Sequence, residues 1–471
     1  MRSPLRISGA WFPAVCALLC ALTARGFELD SRIYPADTVA TLRFRATTEW
    51  DKKNFDTVKV GYVRDDRRFG DGKAMRSAPR RQMLKCKREN GALVVTVPLR
   101  GEHEHSFVFI APPGKGEKEG EERYYSIYTL APDAFRLRPF KGEFHQHSNV
   151  SDGSEPPQDN VRYAREAGLD FLAVTDHSSK SQNPVVAAAA RDSGSGLVTY
   201  PGEEMHNVGA VLHSICLGAP DVMSIRKRTP ELAVAIEPIL AELRKELPQM
   251  HDSERRNIAE ALYVARRARA AGAVLIYCHP HWHPHGRYNA PPEFTRYMLT
   301  HDDFDAIEIA NGQFNHDNYL TAALLYEIAA ERGKRWPVVS ASDCHRTKNI
   351  ALLKRNYNLL FAPDCSFPEF KKGLRDHRLV AAVETMNMNR KSTRPIFFGA
   401  WRFVKLATFL ERCGYWQNHD RLTAAQGPLI EKFLKGDKSV VPQLRELAAE
   451  IDRCRERLYC GDPAVVKPLK P

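Results

Sequence analysis

Phe144-His145-Gln146-His147-Ser148-Asn149-Val150-Ser151-Asp152-Gly153 joins two histidines at spacing two to an acidic turn. Side chains two apart on a strand project to the same face, so His145 and His147 can reach one ion together; a helix would splay them apart. Ser151-Asp152-Gly153 reads as a tight turn whose carboxylate folds back as a hard oxygen ligand beside the imidazoles. Taken by itself the pair fits equally a surface His-x-His that binds nothing, because the other ligands must come from far along the chain.

Around this stretch, from Arg138 onward, apolar strands alternate with amphipathic helices, the order of a parallel α/β fold. Strands are expected at residues 141–147, 170–176, 197–202, 211–218, 273–279, 305–310, 337–342 and 357–362. Helices are expected at 158–167, 254–271 and 318–332, each stopped by a glycine (Gly168, Gly272, Gly333). Seven or eight such units in roughly 250 residues match a β/α barrel, whose chemistry sits at the carboxyl ends of the strands.

The histidines and acids fall at those ends. They include Thr175-Asp176-His177, Gly202-Glu203-Glu204, His213, Cys278-His279-Pro280 and Ser342-Asp343-Cys344-His345, the last a second spacing-two pair. Each has a structural alternative, since an aspartate at a strand end can cap a helix and a lone histidine can be a satisfied core residue. Together they form imidazoles and carboxylates converging on one barrel mouth.

This ordered set resembles the polymerase and histidinol phosphatase (PHP) superfamily of metal-dependent phosphoesterases, over roughly Arg138 to Val383. The resemblance implies a distorted (β/α)7 barrel, assigned to residues 138–385, holding two or three divalent ions. Carried over by position, the metal ligands are His145, His147, Asp152, His177, Glu203, His213, His279, Asp343 and His345, with Glu203 bridging two ions. Asp176 and Arg346 are the candidate catalytic residues, Arg346 through its adjacency to His345 and its capacity to grip a phosphate. Lys180, Arg287 and Lys348 are weaker candidates for the same grip. Cys278 departs from the small residue usual in the family; its thiol either packs in the barrel, the preferred reading, or lies near the metals. His281, His283 and His285 fit either substrate contacts or a polar rim loop, and Glu308 is placed to orient a ligand histidine.

Such a centre suits zinc, manganese or iron, and can lower the pKa of a bridging water to give a hydroxide nucleophile. The expected reaction is hydrolysis of a small phosphate ester or nucleotide. Two alternatives stay open: a metal-dependent hydrolase of non-phosphate bonds, and a polysaccharide-binding protein with the barrel as scaffold. A polymerase partner is disfavoured.

The remaining chain frames this unit. Residues 1–26 combine Arg2 and Arg6 with an apolar run from Ala10 to Leu22 and an Ala-x-Gly pattern ending at Gly26, which reads as a cleaved signal peptide. The mature chain is then periplasmic or secreted and has no membrane span. Cleavage removes three arginines, lowering the formal charge from +12 to +9, and a basic surface fits an anionic substrate. Residues 27–135 show short alternating strands expected to form a small β-sandwich, either a packing domain or a polysaccharide-binding one. Residues 391–462 read as a helical segment and 463–471 as a disordered tail. None of the eight cysteines left after residue 26 forms a Cys-x-x-Cys pair, which disfavours a zinc ribbon. Cys454 with Cys460 or Cys413 are the disulfide candidates; Cys216, Cys278 and Cys344 read as buried thiols.

Overall fold

A computed structural model describes residues 27–64, 81–117, 119–312, 316–385, 394–462 and 464–469. The expected signal peptide and the His285 side chain lie outside the described residues. The chain divides into two compact units. One contains the residues up to Arg136 with Phe409–Asn418 and the segment from Arg453; the other contains Leu137–Thr408 and His419–Asp452. The C-terminal helices are thus shared between the units rather than forming a segment of their own.

In the first unit, strands β1 (Ile33–Pro35), β2 (Thr38–Arg45), β3 (Lys59–Arg64), β4 (Gln82–Met83), β5 (Cys86–Glu89), β6 (Ala92–Leu99), β7 (Glu104–Ile110) and β8 (Glu122–Leu130) form two sheets. One has the order β1-β8-β7-β3-β4; in the other, Val466–Pro468 joins β2, β6 and β5. Alternation in β2 turns Ala40, Leu42 and Phe44 inward. Phe44 meets Phe107 and Phe109 of the other sheet at 5.1 Å between ring centroids, so the two inner faces share one core. The expected disordered tail is corrected by this sheet: Val466–Pro468 pairs antiparallel with β2, and Leu469 N donates to Asp37 O at 3.0 Å. The disulfide expectation is corrected as well, because no disulfide joins Cys413, Cys454 and Cys460.

The second unit contains β9 (Arg138–Glu143), β10 (Phe171–Leu172), β11 (Val198–Thr199), β12 (Gly202–His206), β13 (His213–Leu217), β14 (Val274–Tyr277), β15 (Ala306–Ala310), β16 (Val338–Ser340), β17 (Asn356–Ala362), β18 (Leu379–Thr385) and β19 (Arg394–Gly399). Every strand expected here has a counterpart, but the expected parallel order is only partly kept, and among the described residues the distorted (β/α)7 barrel is not seen as one sheet. Among the described residues the strands form a six-stranded sheet, β11-β10-β9-β17-β18-β19, and a five-stranded sheet, β12-β13-β14-β15-β16. β13 runs antiparallel to β12 and β14, and β17 runs antiparallel to β9 and β18. For β12 and β13 connection length is the reason: only residues 207–212 separate them, enough for a hairpin and too few for a parallel crossover.

Beyond the regular ladders, single bonds join the strand ends of the two sheets. Gln146 bridges Cys344, and His177 bridges Glu204. Thr175 N donates to Gln146 O at 2.8 Å, and Glu204 N to Thr175 O at 3.0 Å. These bonds fall beside the histidines and acids singled out above.

Candidate metal centre

Glu143 pins the two spacing-two pairs together. Its Oε1 accepts from His145 N at 2.9 Å and from Ser342 N at 3.0 Å, while His147 N donates to Cys344 O at 3.0 Å. Burial pushes the Glu143 carboxyl up to about 7. Two neighbouring residues sit in the left-handed region that residues other than glycine rarely adopt, His279 at φ 29° and Asp343 at φ 50°. Such backbone conformations persist where surrounding structure over-determines them.

The side chains converge on Glu204. Its Oε2 lies 3.3 Å from His145 Nε2, 3.3 Å from His147 Nε2 and 3.0 Å from His177 Nδ1. Its Oε1 lies 2.7 Å from His213 Nδ1 and 3.1 Å from His279 Nε2. Asp343 Oδ1 faces the same two rings, 3.3 Å from His145 Nε2 and 3.2 Å from His147 Nε2. Further out, Asp152 Oδ2 lies 3.4 Å from His177 Nε2 and 3.2 Å from His345 Nε2.

These contacts are close without being satisfied. His145 Nε2, His147 Nε2 and Glu204 Oε2 are buried and have no hydrogen-bond partner, which in an apolar interior costs about 1–3 kcal/mol per group. A tetrahedral ion with bonds of about 2.0–2.2 Å holds its donor atoms about 3.3–3.6 Å apart. The four edges between the imidazoles of His145 and His147 and the carboxylates of Glu204 and Asp343 measure 3.2 or 3.3 Å. The donor set fits a divalent cation.

The tautomers support the same fit. His145 Nδ1 lies 2.7 Å from Glu308 Oε1; a carboxylate only accepts, so Nδ1 carries a proton, and in the neutral ring Nε2 keeps the lone pair that a metal needs. Glu308 is fixed in turn, its Oε2 accepting from His279 N at 2.9 Å and Asn311 Nδ2 at 3.1 Å.

The electrostatics reflect crowded acids and imidazoles. Burial alone would lower the His147 and His177 pKa values, but carboxylates outweigh it and push them up to about 9 and about 10. Asp152 and Asp343 are opposed by burial yet held far below the usual carboxylate range by the surrounding histidines. His206 goes the other way: burial, then the charge of His213, lowers it to about 3.

Eight of the nine expected ligands lie in this cluster. Glu203 does not, and the glutamate among the histidines is Glu204. Successive strand residues face opposite sides, and the Glu203 carboxylate instead accepts from Met223 N and from Ser224 Oγ at 3.4 Å. Asp176 also takes a different place from the catalytic one expected. Its buried carboxylate accepts from Ser148 N, Ser148 Oγ, Ser151 N and Ser151 Oγ at 2.6–3.2 Å, so its capacity is spent holding the loop that carries Asp152. Arg346 is exposed and makes no ion pair among the described residues. His281 is buried and bonded to Thr321 Oγ1 at 2.9 Å, and His283 packs on Tyr288; neither joins the donor cluster.

His206 was missed altogether. Its Nε2 lies 2.8 Å from His177 Nδ1 and its ring stacks on His213 at 4.2 Å. The signal was present: Glu204 and His206 stand at spacing two on β12, the rule that linked His145 to His147. A cleft of about 370 Å³ opens beside them, lined by His177, His206, Asn207 and Arg226 among others.

The arrangement defines a candidate centre for divalent metal ions built from histidines and carboxylates. In structure the chain is similar to a two-domain protein from Bacteroides vulgatus described as containing a predicted PHP-like metal-dependent phosphoesterase, at 20% identity and a TM-score of 0.37, covering 54% of this chain and 67% of that one. It is also similar to a protein from Bifidobacterium adolescentis described as a candidate metal-dependent phosphoesterase, at 17% identity and a TM-score of 0.30, covering 43% of this chain and 87% of that one. A third is an amidohydrolase from Chromobacterium violaceum with bound sulfate and no metal, at 21% identity and a TM-score of 0.26, covering 44% and 87%. No protein-family model and no curated protein matches the chain.

Proposed function

We propose that this protein is a PHP-type metal-dependent phosphoesterase, exported to the periplasm or the medium, that hydrolyses a small phosphate ester or nucleotide. The observation that carries the reading is the set of four donor edges of 3.2 or 3.3 Å among His145, His147, Glu204 and Asp343, three of whose atoms are buried and unpartnered. These four residues would hold one ion, and Asp152, His177 and His345 a second. His213 and His279 complete the surroundings of the shared Glu204 carboxylate. Two or three ions of zinc, manganese or iron, when bound, supply Lewis acidity and water activation at neutral pH.

The chain's own residues prepare the site for that chemistry. Glu308 orients the His145 ring, Asp176 holds the Asp152 loop, and the bridges Gln146–Cys344 and His177–Glu204 tie the ends of the two sheets beside the donors. Arg346, beside His345, and Arg226, in the cleft beside His177, supply positive charge toward the ester's oxygens. The export reading rests on residues 1–26. The β-rich unit is the surface to test for polysaccharide binding.

The test is metal analysis of the purified protein followed by aryl phosphate hydrolysis after zinc or manganese loading. Bound transition metal and a turnover lost in His147→Ala are expected. Protein that holds no transition metal and leaves aryl phosphates intact sinks the reading; turnover of amides or carboxylic esters alone replaces it with a hydrolase of the other class.

A further inference from the structure

The donor cluster has a thiol that the reading above does not use. Cys278 follows β14 and immediately precedes His279, and consecutive residues on a regular strand point to opposite faces. Here they do not: the left-handed φ of 29° at His279 brings both side chains to one carboxylate. Cys278 Sγ lies 3.6 Å and His279 Nε2 3.1 Å from Glu204 Oε1. One donor atom from each of His145, Glu204, Cys278 and His279 lies within 4.8 Å of the others.

A cysteine that only filled space would have no need of this neighbourhood. The body of Cys278 does pack in the apolar cluster with Ile276 and Ala306, and the residue is 1% exposed. Its sulfur, however, faces an ionisable carboxylate rather than a methyl group. Independently of the thiol, His145 Nε2 and Glu204 Oε2 point to a ligand in the same space, being fully buried and without hydrogen-bond partners.

We propose that Cys278 supplies a thiolate ligand to the ion held by His145 and Glu204, giving that ion a mixed sulfur, nitrogen and oxygen shell. The thiol proton leaves to solvent as the sulfur binds. A soft donor shifts the preference toward zinc, cobalt or iron(II) and away from magnesium and manganese. The inference rests on the metal-centre reading, and its test separates the two.

The full chain is loaded with cobalt(II) and its absorption recorded. Wild type is expected to show visible ligand-field bands together with a near-ultraviolet thiolate-to-cobalt charge-transfer band. Cys278→Ser keeps the visible bands and loses the charge-transfer band; Cys344→Ala, which removes a buried thiol between Asp343 and His345, keeps both. Visible bands without charge transfer in wild type, or a charge-transfer band that survives Cys278→Ser, overturns the thiolate while leaving the metal centre standing. Absence of any cobalt spectrum overturns both. Should the serine variant fail to fold, X-ray absorption on the zinc-loaded wild type decides: a sulfur scatterer at about 2.3 Å supports the ligand, and a shell of nitrogen and oxygen alone refutes it.

Discussion

Two buried clusters of imidazole and carboxylate lie in the larger unit, and they differ in one respect. Around His419 every polar atom of the ring has found its partner. Nε2 lies 3.0 Å from Asp170 Oδ1, Nδ1 lies 3.1 Å from Asp420 Oδ1, and Lys141 Nζ reaches Asp420 Oδ2 at 3.0 Å. Around Glu204 the distances are similar, yet His145 Nε2, His147 Nε2 and Glu204 Oε2 have no hydrogen-bond partner. Evolution can place charges in a protein interior for cohesion or for binding, and the satisfied cluster is what cohesion looks like. The unsatisfied one stores a cost that an ion would relieve.

Glu204→Ala is the change that breaks this contrast most completely. It removes the carboxylate that touches five imidazoles, so at least one ion should be lost and the proposed hydrolytic turnover should fall by more than about 100-fold, beyond the range for residues that merely support a ligand. Glu203→Ala, whose carboxylate binds the Met223 amide instead, should keep its metal. Metal content and turnover of the two variants, measured side by side, check both statements; equal losses would mean that the adjacent glutamates are not divided as described.

At the other cluster the effect should move from function to stability. His419→Ala leaves Asp170 and Asp420 without their shared donor, and breaking a buried ion pair typically costs about 3–5 kcal/mol. Denaturant unfolding should show that loss while the metal content of the folded fraction stays the same. A smaller effect sharpens the boundary between the two kinds of cluster. Glu308→Gln preserves volume but can present a donor to His145 Nδ1, disturbing the tautomer; metal affinity should drop about 10- to 100-fold by titration with a competing chelator, with little change in stability.

How far these sites were legible in the sequence follows from the range of the rules involved. Spacing two is a local rule, and His145 and His147 do stand together against Glu204 and Asp343, whereas Asp343 and His345 fall in different donor groups. The same rule applied at Glu204 and His206, but the family resemblance favoured the first glutamate of an adjacent pair, and only strand pairing tells which one faces inward. Strand positions were legible because apolar runs are local; strand direction was not, because it depends on connections such as residues 207–212. The His419 cluster was invisible for a related reason. Its partners, Asp170 and Lys141, stand some 250 residues or more away in the chain, and nothing near His419 announces them. Cys278 reads first as packing because it sits in an apolar run, and only the left-handed step at His279 shows its sulfur beside Glu204.

The smallest predicted effect separates the clusters by pH. Burial disfavours a charged His419, but Asp170 and then Asp420 outweigh it, so its folded pKa lies above the ordinary value of about 6.5. A group raised on folding contributes stability that is complete below its unfolded pKa and is lost as pH rises through the folded one. The stability gap between wild type and His419→Gln should therefore be widest in mild acid and narrow in alkali. Metal binding at Glu204 should run in the opposite direction, because its imidazoles must give up protons to take an ion and affinity rises with pH. Unfolding curves for the metal-free pair and chelator titrations of the wild type, taken across the same pH series, should diverge in sign. A parallel trend would mean that the two clusters share one role, and the distinction between a satisfied network and a binding site would fail for this protein.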